Sequence, residues 1–172
     1  MMSKRGRQYI GIFAAIVAYY LIHEGAHLLY AICAGVFRHI KFMELGVQVD
    51  VFAERMTDTQ LGIFCLVGVA STFVAGYILV LIADVICKVK SALLRAILYY
   101  ITIAFLLLDP LYLSVLCGFF GGGDMNGIAL LLPEWAARVG FGVLLVVNGF
   151  VFCKKVLPTY KKSFSDTEIK NE

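Results

Sequence analysis

Within five residues the chain places His23, Glu24 and His27, in the run Tyr20-Leu21-Ile22-His23-Glu24-Gly25-Ala26-His27-Leu28-Leu29, whose other members are apolar, glycine or tyrosine. On a helix, residues four apart lie about 40° apart on one face and one turn up. Two imidazoles so placed can grip a single zinc ion, and the glutamate after the first is set to take a proton from a water that the ion activates. Gly25 and Ala26 leave the backbone beside it accessible to a substrate. The competing reading is structural, with polar groups bridging helices through hydrogen bonds. Three ionisable groups in one turn of an apolar helix are costly to hold in hydrocarbon, and such groups mark a site by default.

A catalytic zinc takes three protein ligands and leaves the fourth position to water. Three residues compete to be the third ligand. His39 lies in a polar stretch beside Arg38 and Lys41, where a solvated ring is expected. Asp109 precedes Pro110 inside an apolar run, and its other role would be an interhelical hydrogen bond at a proline kink. Asp124 follows Gly121-Gly122-Gly123. Glycine-rich backbone at membrane depth is tolerated only where it is buried in protein or lines a wet cavity, and such a segment can bring a carboxylate to a metal. The bland role for Asp124 is to cap the helical turn that it begins.

These groups must be held by apolar elements. Of 172 residues, 61% are hydrophobic and 16% charged, whereas a soluble domain is nearer half and a quarter. That balance excludes disorder, a fibrous repeat and an ordinary soluble enzyme. A net charge of +3 on so little polar surface offers no basic face to a nucleic acid. Four stretches satisfy the roughly 20 apolar residues of a membrane span: Ile10–Cys33, Leu61–Ile86, Ala92–Phe119 and Trp135–Phe152. The first has no small-residue cleavage site and carries ionisable groups at its centre, unlike a signal peptide. Ile40, Phe42, Val47, Val49 and Val51 alternate with polar neighbours around Gly46, which reads as a short hairpin.

The expected fold is therefore an all-α membrane protein: a bundle of about four transmembrane helices, with a small β-hairpin after the first and a Gly-rich irregular segment before the last. Residues 1–160 read as a single integral-membrane domain and 161–172 as a short polar cytoplasmic tail, frayed over Ser163–Glu172. Lys4, Arg5, Arg7, Lys88, Lys90, Arg95, Lys154, Lys155, Lys161, Lys162 and Lys170 fall on one side of a four-span arrangement, 11 of the 15 basic residues. The positive-inside rule puts that side, with both termini, in the cytoplasm. The five cysteines are scattered without a Cys-x-x-Cys pair and read as apolar filling. Gly68, Ala70, Ser71, Ala75 and Gly76 read as close helix packing, and Asn148 as an interhelical hydrogen-bonding group.

His23-Glu24-Gly25-Ala26-His27 in the first span, with Gly123-Asp124 before the last, resembles the site-2 protease family of intramembrane zinc metalloproteases. The segment Gly123-Asp124…Leu130…Pro133-Glu134-Trp135 is more similar to the minimal bacterial branch of that clan. The resemblance covers roughly residues 10 to 152. It implies one zinc ion per chain held by His23, His27 and Asp124, Glu24 as general base, and Asn126 as a donor to the developing oxyanion. It further implies an endopeptidase of membrane-embedded protein or peptide substrates in a bacterial cell membrane. Water would reach the bond through a polar cleft between spans one and three, and the hairpin would either align an extended peptide or merely cap the bundle. Better-known members carry Leu-Asp-Gly, and the closest string to it here is Leu108-Asp109-Pro110, which keeps Asp109 as the reserve ligand. The readings from other classes are a non-catalytic metal-binding membrane protein, whether zinc carrier or degenerate protease acting as a binding partner, and a metal-dependent amidase acting on a lipid.

Overall fold

The computed structural model describes residues 3–43, 46–121 and 123–169. Gly122 of the glycine run and Lys170 of the basic C-terminal group lie outside the described residues. Helix α1 runs Lys4–Cys33, opened by the Ser3 side chain, which accepts from the Gly6 N–H at 3.1 Å. It closes on Gly35 at φ 67°, where the Gly35 N–H donates to Ile32 O and the Val36 N–H to Ala31 O. This paired αL ending turns the chain back sharply. Strands β1 (Phe37–Met43) and β2 (Gly46–Val51) follow as an antiparallel pair with Ile40 opposite Val49 and Phe42 opposite Val47.

Helix α2 (Asp58–Leu81) begins at a capping box formed by Thr57 and Gln60, and short α3 (Ala83–Cys87) leads to the Ser91-capped α4 (Ala92–Leu111). A π-helical turn, Tyr112–Leu116, then continues into α5 (Cys117–Phe120). After the glycine run come α6 (Asp124–Ile128), α7 (Glu134–Val151), a second π-helical turn and α8 (Leu157–Ile169). Four helical stretches are long and apolar enough to cross a membrane: Lys4–Cys33, Asp58–Leu81, Ala92–Phe120 and Glu134–Ser165. Many large apolar side chains, among them Phe13, Val74, Leu81, Val139 and Val146, point outward. An outer surface of this kind suits lipid, since water would penalise it. The chain is a four-span bundle with one small hairpin.

Helix α1 packs on α4 and α2, and α7 on α4. Pro110 has no N–H to give the carbonyl four residues back, Leu106 O. The buried Asn148 of α7 donates its Nδ2 to that carbonyl at 2.7 Å and accepts from the Tyr77 hydroxyl at 2.6 Å. One interhelical amide thus satisfies the backbone group that the proline orphans. The segment after residue 160 differs from the expected frayed tail. Leu157, Tyr160 and Phe164 fall on one helical face; Tyr160 is 1% exposed, and Ser163 is buried against the Arg95 guanidinium at 2.8 Å. The second π turn carries the last span on into α8, so the helix stays packed beyond the apolar run.

Candidate metal centre

His23 and His27 lie on the buried face of α1, about 15 and 9 Å before its Cys33 end at 1.5 Å per residue. Their ring centroids are 4.8 Å apart. Ligand atoms of His23, Glu24 and His27 lie within 4.8 Å of one another, a spacing that can hold a metal ion. The two Nε2 atoms face Gly68 of α2. A Cβ at that position would stand 2.4 Å from His27 Nε2 and 2.8 Å from His23 Nε2. Gly68, read from the sequence as helix packing, is the residue that leaves room for both imidazole tips. The Ser71 hydroxyl, one turn on, donates to Gly68 O at 2.6 Å and reaches Ile22 O at 3.2 Å, tying α2 to α1 at this level.

The glycine run brings the carboxylate. Gly121 at φ 90° and Gly123 at φ 45° adopt backbone that L side chains avoid, and the Tyr112 hydroxyl pins the bend by donating to Gly121 O at 2.7 Å. Asp124 begins α6 without capping it: Gly123 occupies the cap position and no side chain satisfies the first turn. Its carboxylate turns instead to the histidines. The His23 Nε2–H donates to Asp124 Oδ2 at 3.0 Å, and His27 Nε2 stands 3.5 Å from the same oxygen. Burial alone would raise the Asp124 carboxyl, but the two imidazoles facing it prevail and hold it down at about 2. It is a carboxylate at neutral pH.

Asp109 occupies a different position from the third donor. Its Oδ1 lies 3.3 Å from His23 Nδ1, on the side of the ring away from Asp124, a charge contact without hydrogen-bond alignment. Tyr19 and Thr72 both donate their hydroxyls to the Asp109 carboxylate. This 2%-exposed acid is therefore fixed from α1 and α2 while it faces the back of His23. Metal-ligating histidines have such a partner on their second nitrogen as a rule.

Glu24 is half-buried, and its Oε2 accepts from the Val49 N–H of β2 at 3.0 Å. The hairpin thus lies against α1 beside the histidines, with Val49 buried and β1 exposed along its length. Asn126 is exposed. Two residues beyond Asp124, it is about 200° around α6 from it, so it is not brought to the cluster. His39 sits on the exposed hairpin, 3.4 Å from Asp50, outside the cluster as well. The seam between α1 and α4, where the sequence suggests a polar cleft, is filled at this depth by Tyr19, Asp109 and Thr72. Of these three side chains Asp124 is the most open, 20% exposed against 8% and 3% for His23 and His27.

A metal fits these donors on two observations. Neither ring nitrogen of the buried His27 completes a hydrogen bond, a costly state that coordination would relieve. The donor set of two imidazole nitrogens and one carboxylate oxygen also suits zinc. Comparison of the chain with protein-family models, curated proteins and solved structures finds no match.

Proposed function

We propose that the chain is a zinc-dependent intramembrane endopeptidase, with His23, His27 and Asp124 holding one zinc ion and Glu24 as general base. The observation that carries this reading is the convergence of two buried Nε2 atoms and one carboxylate oxygen over Gly68, with a second carboxylate beside them. A site built only to bind zinc has no use for a base, whereas Glu24 follows His23 in sequence and lies within 4.8 Å of both histidines' ligand atoms. When bound, zinc supplies Lewis acidity that polarises a carbonyl and makes water nucleophilic near pH 7.

The chain's own groups divide the remaining work. Glu24 accepts the proton of the attacking water and returns it to the leaving amine. Asp109 orients His23 from behind. The hairpin docks on Glu24 through Val49 and leaves β1 exposed, where an extended peptide could be aligned by strand addition, which favours a peptide over a lipid amide. The excess of basic residues on the side of both termini supports a cytoplasmic location for them, and the resemblance noted above supports a bacterial cell membrane.

The test is zinc analysis of the purified protein, paired with cleavage of a membrane-spanning reporter. One zinc per chain is expected, with cleavage lost on chelation and regained with zinc. Absence of zinc would remove the site; zinc without cleavage of any peptide reporter would leave a carrier or a binding partner. A narrower expectation concerns Asp109. Asp109→Asn keeps the side chain's size but removes the charge behind His23, so zinc affinity should fall about 10–100-fold, measured by competition with a chromogenic chelator. An unchanged affinity would reduce Asp109 to a purely interhelical role.

A further inference from the structure

At the opposite end of the bundle from the histidines, a cavity of about 430 Å³ opens between the first turns of α1, the start of α4 and α8. Three cations, Lys4, Arg7 and Lys161, and three tyrosines, Tyr99, Tyr100 and Tyr160, line it. No carboxylate is among its described lining residues. The positive charge comes from both ends of the chain, residues 4 and 7 and residue 161, so folding itself assembles it. An anion seated beside Lys4 and Lys161 is attracted to both.

The chemistry of the wall narrows the anion. Tyr160 is 1% exposed, while Tyr99 and Tyr100 are half-buried in the same wall. Leu157 and Phe164 add apolar surface next to the cations, which a free inorganic ion cannot use. The height is also telling. Lys4 and Arg7 precede the apolar run that starts at Ile10 by three to six residues, about 5–9 Å along the helix, the depth of the headgroup layer.

We infer that this cavity binds the headgroup of an anionic phospholipid, its phosphodiester held by Lys4 and Lys161 beside Tyr99 and Tyr100 and its acyl chains lying along α4 and α8. Basic pockets between spans take anionic headgroups in this way. The inference is independent of the metal centre and would stand if that reading failed.

The test reconstitutes the full chain in phosphatidylcholine vesicles with and without phosphatidylglycerol, extracts it gently and measures retained lipid by native mass spectrometry. The wild type should keep phosphatidylglycerol in preference to phosphatidylcholine. The Lys4→Gln/Lys161→Gln variant, altered only at exposed side chains, should bind it roughly 30-fold more weakly, from about one Lys–headgroup attraction lost at each position. Lys88→Gln/Lys90→Gln removes the same charge away from the cavity and should keep the preference. Equal retention by the Lys4/Lys161 variant, or equal loss by the control, would overturn the site. Displacement of the lipid by millimolar inorganic phosphate would show a free-anion site and overturn the lipid assignment.

Discussion

Glu24→Gln should retain one zinc per chain and lose about 10²–10⁴ of the rate of reporter cleavage, the usual worth of a positioned proton acceptor. In free energy that is about 3–5 kcal/mol of transition-state stabilisation. The substitution isolates the proton-transfer role because of what Glu24 touches. Its Oε2 accepts the Val49 N–H of β2, and the amide oxygen of glutamine accepts the same bond, so the hairpin stays docked on α1. His23 and His27 are not altered, and Asp124 still faces them. What glutamine cannot do is take a proton from water. Paired metal analysis and kinetics on the same preparation check the result. Cleavage within tenfold of wild type, with zinc bound, would remove Glu24 from the chemistry. Loss of zinc together with cleavage would instead make Glu24 part of the metal's coordination.

The parts of this fold that were legible in the sequence are those decided by local pattern. Four spans follow from runs of apolar residues, and the hairpin from alternation around Gly46, because both signals are carried by neighbours along the chain. The pairing of His23 with His27 is equally local, one helical turn apart. The choice between Asp109 and Asp124 was not local. Both acids sit in apolar surroundings, and only the path of Gly121 and Gly123 through positive φ turns Asp124 toward the Nε2 atoms while Asp109 is left at Nδ1. Proline at 110 was readable as a kink, but its repair by Asn148 depends on how α7 packs on α4. The helical C-terminal segment had a signal that its charges obscured: Leu157, Tyr160 and Phe164 repeat at helical spacing among lysines. The Asn126 role came from resemblance alone, and the geometry of α6 turns that residue outward. Gly68 had no distinguishing signal, since one glycine among Ala70, Ser71 and Ala75 reads as a packing stripe.

Gly68 therefore carries the sharper test of the metal centre. Gly68→Ala should lose bound zinc, and cleavage with it, while the zinc-free protein unfolds at the same temperature as zinc-free wild type or higher. Two effects of one methyl group separate here. In a helix interior alanine is favoured over glycine by roughly 1 kcal/mol, so α2 itself gains. The new Cβ, however, would stand 2.4 Å from His27 Nε2 and 2.8 Å from His23 Nε2. These are the tips of side chains, which can rotate away without unfolding the bundle. Once rotated, they no longer converge with Asp124. If Gly68 served only to let α1 and α2 approach, the outcome would be reversed: the methyl group would push the helices apart and lower the unfolding temperature, and the molecules still folded would keep their zinc. The comparison must be made between zinc-free forms, because a ligand bound only to the folded state raises its apparent stability by mass action. One zinc per chain in Gly68→Ala would mean that the metal is not held by the Nε2 atoms facing α2.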